Sequence, residues 1–95
     1  RLIFINVKHK DANVLNVASA TLATNLRAQL GARVLGPEQP LVSRVRNYYI
    51  KQIILKIERT AAMQKVKTVL VDTIRDFNAQ KDFRSVITQI DVDPY

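Results

Sequence analysis

The chain has 95 residues, 47% hydrophobic and 24% charged, which fits one globular domain with one core and excludes a disordered tail. It contains no cysteine, so disulfides and thiolate zinc sites are excluded within it, a composition that fits the cytoplasm. Fifteen Lys and Arg against eight Asp and Glu give a net charge of +7, which attracts polyanions, chiefly nucleic acid or an acidic protein tail, although a ribosomal-type or merely solubilising surface reads the same way.

The chain opens at Arg1 with no initiator Met, and the apolar run after it is too short for a signal peptide or a membrane span. It is therefore expected to be a single domain, residues 1–95, cut from a larger protein with no membrane partner. Leu2 to Lys8 alternates and predicts a strand, with Ile3, Ile5 and Val7 on one face and Leu2, Phe4 and Asn6 on the other. Asp11 reads as the N-cap of a helix to about Leu30, with an apolar stripe of Leu15, Ala18, Leu22, Leu26 and Leu30. Gly31 supplies its stop.

A short strand, Arg33 to Leu35, is expected to end at Gly36-Pro37, and 36–40 to be a loop, because two prolines oppose ladder pairing. Val42 to Ile57 reads as one long strand, bulged or bent near Asn47 and Lys51. In that reading Arg44, Arg46, Tyr48, Gln52 and Lys56 share one face; Val45, Tyr49, Ile53, Leu55 and Ile57 share the other. Thr60 is the expected cap of a second helix to about Ala79, with Met63, Val66, Leu70, Ile74 and Phe77 inward. Val86, Thr88, Ile90 and Val92 predict a last strand, closed by Pro94. The order strand-helix-strand-strand-helix-strand predicts an α+β, ferredoxin-like βαββαβ domain: a four-stranded antiparallel sheet with two helices on one face.

Catalytic signatures are missing from the sequence. Its two glycines, Gly31 and Gly36, form no phosphate loop. His9 is the single histidine, which leaves Ser19, Ser43 and Ser85 without the makings of a triad. Asp91 and Asp93 share a strand face, but with no third ligand they read as ion-pair partners. The third strand lacks the glycine and aromatic order of an RNA-recognition motif. No catalytic, cofactor or metal residue is expected in these 95 residues.

Arg44, Arg46, Tyr48, Gln52 and Lys56 combine cations, a stacking ring and an amide, the combination single-stranded nucleic acid needs; a solvated outer sheet face carries the same residues. Arg59, Gln64, Lys65 and Lys67 cluster at the start of the second helix, where a dipole and cations favour an anionic peptide or phosphate, or simply decorate a helix surface.

Three stretches in order carry a resemblance: Val-Leu-Gly-Pro (34–37) with Pro40 after it, Arg46 to Lys56, and Asp-Val-Asp-Pro (91–94). Together they resemble the C-terminal domain family of bacterial primosomal protein N′, the PriA replication-restart helicase. The resemblance implies a parent that unwinds DNA 3′ to 5′ and reloads the replisome at stalled forks. It implies ATP, magnesium and zinc in upstream segments, and a domain similar in outline to a ribosomal small-subunit protein. It implies contact with single-stranded or forked DNA, other primosome proteins and the remainder of the helicase, in a bacterial cytoplasm at the nucleoid. It also implies a site for the acidic tail of the single-stranded-DNA-binding protein, placed at Arg59, Gln64 and Lys65. The family's third strand interleaves Arg with aromatic rings up to the Gln; here Tyr48, Tyr49, Ile50 and Lys51 precede Gln52, so that alternation is shifted. The other reading of the residues is a ribosomal-protein-like structural or RNA-assembly module.

Overall fold

A computed structural model describes residues 1–93. Strand β1 (Leu2–His9) alternates fully buried Ile3, Ile5 and Val7 with half-buried Leu2, Phe4, Asn6 and Lys8. That period of two is what a strand with one covered face requires. Helix α1 (Ala12–Leu30) begins as the sequence indicates. Asp11 keeps an extended backbone, and its Oδ1 accepts from the N–H of Asn13 at 2.8 Å and of Val14 at 3.2 Å. Those are donors the first turn leaves open. Leu15, Ala18, Leu22, Leu26 and Leu30 are all buried. Gly31 ends the helix at φ 63, where a Cβ is costly, and its N–H bonds the Arg27 carbonyl.

Strand β2 (Val34–Glu38) starts after a 3-10 turn at Gly31–Arg33, so Arg33 lies before the strand it was expected to begin. The strand also runs further than the prolines suggest: Glu38 pairs with Gln52, after a register shift that follows Leu35. Proline is tolerated because β2 is an edge strand and the shift absorbs its missing donor. Gly36 has φ 95, and a Cβ there would come within 2.9 Å of the Gln52 carbonyl oxygen.

The segment expected to form one strand over Val42 to Ile57 is a hairpin. Strand β3 (Arg44–Val45) turns back through Arg46 and Asn47 into β4 (Tyr48–Lys56). Both turn residues have positive φ, 51 and 70, the mirror-image conformation that suits the twist of a two-residue hairpin. The bend near Asn47 is thus a complete reversal, while at Lys51 β4 continues in unbroken register with β1.

Helix α2 (Met63–Ala79) starts later than Thr60. Its N-cap is Ala62, with no side-chain bond, because a turn closed by the Ala61 N–H on the Glu58 carbonyl at 3.1 Å takes up Arg59 and Thr60. Val66, Leu70 and Phe77 are buried, with Met63 and Ile74 partly buried against the same core. The Phe77 and Phe83 rings stack at 4.7 Å, and Asn78 Nδ2 donates to the Phe83 and Val86 carbonyls at 3.1 and 3.0 Å. Val86 is buried just ahead of β5 (Ile87–Val92), which begins one residue later than expected. Pro94 lies outside the described residues.

The sheet order is β2-β4-β1-β5, antiparallel throughout, with β3 as a short ribbon on β4. Ile3, Ile5 and Val7 join Ile53 and Leu55 with the buried stripes of both helices in one core. This is the ferredoxin-like α+β arrangement, with both helices on one face. Among the described residues, no helix covers the other face.

Candidate nucleic-acid interface

The outward parity of β1 and β4 builds the open face. Register sets Asn6 opposite Gln52 and Gln89, and Lys8 opposite Ile50 and Ile87. Gln52 Nε2 donates to Asn6 Oδ1 at 3.1 Å, a polar crosslink at the middle of the sheet. On the hairpin side Lys8 stands between two grooves of about 400 Å³ each. Val45, Arg46, Tyr48 and Ile87 line one; Leu41, Val42, Ile50 and Gln52 line the other. The Lys10 ammonium sits 5.6 Å from the centroid of the Tyr48 ring, within cation–π range.

Of the residues expected to bind DNA, Tyr48, Gln52 and Lys56 do share this face, and Arg46 reaches the first groove from the turn. Arg44 does not. The hairpin pairs Arg44 with Tyr49 and Val45 with Tyr48, so the face assigned to each by an unbroken strand is exchanged. Arg44 instead lays its guanidinium 4.9 Å from the centroid of Tyr49. Lys56 lies opposite Leu2 at the far end of β4, about 26 Å from Tyr48 along an extended strand. Asn6, Lys8, Lys10 and Gln89 complete the surface, and the alternation of the first strand already turns Asn6 and Lys8 outward.

Arg59, Gln64 and Lys65 are all exposed, before and within the first turn of α2. Only Lys65 lines a groove there, one of about 240 Å³ walled by Leu30, Val66 and Val69. Arg33 and Glu58 form its rim. Arg33 Nε and Nη2 both donate to the Glu58 carboxylate, Nε to Oε2 at 2.8 Å, while Nη1 donates to the Leu30 carbonyl at 3.2 Å. These hydrogen bonds from Arg33 are the main reason the Glu58 carboxyl is lowered to about 2; Glu58 in turn raises the Arg33 guanidinium. Arg59 does not line this groove, and the two-pronged hold on a carboxylate there is made by Arg33.

His9 has a structural task. Its Nδ1 accepts from the Asp11 N–H at 2.9 Å, so the neutral ring carries its proton on Nε2, 2.9 Å from Ser85 Oγ. An imidazole that donates to a serine is not the base that would activate it. Among the described residues, no group of His, Cys, Asp and Glu is arranged to hold a metal, and no helix is long and apolar enough to cross a membrane.

A search of curated proteins gave no match. The family model described as "Primosomal protein N C-terminal domain" matches residues 1–95, the whole chain. The chain belongs to the family of C-terminal domains of primosomal protein N, and its role lies with the primosome and replication restart.

Proposed function

We propose that this domain is the DNA- and partner-binding part of a replication-restart helicase. In this reading the parent unwinds forks 3′ to 5′ in the bacterial cytoplasm, using ATP, magnesium and zinc held outside residues 1–95. The open sheet face takes single-stranded or forked DNA. The observation that carries this is that Lys8 and Arg46 line one groove with Tyr48, while the Lys10 ammonium sits over the Tyr48 ring. Phosphates are met by the cations, and a base stacked on a ring contributes about 1–3 kcal/mol. Family membership supports the assignment, since primosome assembly takes place on DNA. The acidic tail of the single-stranded-DNA-binding protein docks at the start of α2, where Lys65 borders an apolar groove and Arg59 and Gln64 are exposed for its acidic stretch. The remainder of the helicase and other primosome proteins complete the partners.

The test is fluorescence anisotropy with a labelled single-stranded oligonucleotide. Lys8→Glu with Arg46→Glu is expected to weaken binding tenfold or more. Lys67→Glu with Lys81→Glu, an equal charge change on exposed residues of α2 and the turn after it, is expected to cost much less. Equal losses from both pairs would mean diffuse attraction by net charge and no sheet-face site.

A further inference from the structure

The groove at the start of α2 already holds a carboxylate. Glu58 presents its oxygens to Arg33 in the two-pronged geometry a carboxyl-ended ligand would use. The third guanidinium nitrogen donates to the Leu30 carbonyl, an anchor for Arg33 that does not depend on Glu58. Lys65, across the same groove, has no acidic partner among the described residues. Both members of the Arg33–Glu58 pair are more than two-fifths exposed, so Glu58 can return to water with little loss.

We propose that Glu58 is an internal competitor that occupies the anion position of this groove, and that an acidic peptide ending in an apolar residue enters by exchanging its terminal carboxylate for that of Glu58 on Arg33. This rests on the tail-docking reading above and adds its regulation. The occupant is a peptide and not a nucleic-acid strand for two reasons. The groove lining contains no aromatic ring on which a base could stack, and its walls are aliphatic, from Leu30, Val66 and Val69. A volume of about 240 Å³ takes one large side chain. The exchange leaves Arg33 paired throughout, so the apolar side chain supplies the net gain and Glu58 sets a threshold against free carboxylates. Arg33, not Arg59, is then the residue that grips the terminal carboxylate.

The experiment titrates the 95-residue chain with a labelled synthetic decapeptide of Asp and Gly ending in a Phe carboxylate. Glu58→Gln is expected to tighten binding about two- to fivefold, the range a solvent-exposed ion pair supports. Asp82→Asn, which changes net charge equally but elsewhere, is expected to leave it nearly unchanged. In an Arg33→Ala background the gain from Glu58→Gln is expected to vanish, and the C-terminal amide of the peptide should bind weakly to every variant. If Arg33→Ala and Lys65→Glu weaken binding but Glu58→Gln does not strengthen it, the competitor idea is overturned and the docking site stands. If neither Arg33→Ala nor Lys65→Glu affects binding, or the peptide does not bind at all, the docking site falls and the competitor with it.

Discussion

Glu58 and Arg33 illustrate how a single pair ties stability to pH. In the unfolded chain Glu58 titrates near the ordinary carboxylate value, about 4.3, and in the fold near 2. The folded value is the lower one, so the pair's contribution is present above about pH 4.5 and is lost as pH falls through about 2. Glu58→Gln is expected to lower the urea midpoint at pH 7, with the gap to the wild type closing between pH 4.5 and pH 2. A gap that stays constant over that range would show that Glu58 does not owe its ionisation to Arg33. Neither residue is marked by the sequence, because they stand 25 positions apart and meet only when β4 returns past the end of α1. Arg59, one residue on, carries the right charge for the same task. Only the turn that follows Glu58 decides which arginine faces the groove.

At the scale of elements, local chemistry is legible where one residue type has a single job. Asp11 and Gly31 bracket α1 because a carboxylate and a glycine satisfy the two ends in ways few residues can. Thr60 has the right type for a cap but sits in a turn, and α2 begins on Ala62 instead. Asp11→Ala is therefore expected to cost about 1 kcal/mol in urea unfolding, and Thr60→Ala less than about 0.5 kcal/mol. A large loss from Thr60→Ala would contradict the observed start of α2. The hairpin is the element the sequence conceals. Two-residue reversals are usually announced by glycine, and here Arg46 and Asn47 adopt the positive φ values instead. Because β-branched and aromatic residues continue on both sides, the reversal reads as an interruption within one strand. That one misreading exchanged Arg44 and Val45 between faces, yet it left Tyr48, Gln52 and Lys56 where alternation puts them.

For the whole molecule, the net charge of +7 attracts polyanions but does not say where one would land. The fold narrows the proposed location by covering one sheet face with both helices and turning Asn6, Lys8, Tyr48 and Gln52 to the other. The overall arrangement is legible from element order alone, since a split βαβ pattern leaves few antiparallel solutions. The candidate site is legible only in part, because its cations arrive from β1, from the segment after it and from the hairpin turn. The most direct measurement is a titration of the isotope-labelled chain with a short single-stranded oligonucleotide, followed by amide and aromatic chemical shifts. The largest changes are expected at Lys8, Arg46, Tyr48 and Gln52, with the helix surfaces little affected. Changes concentrated on α1 and α2, or spread evenly over every exposed lysine and arginine, would contradict the sheet-face site.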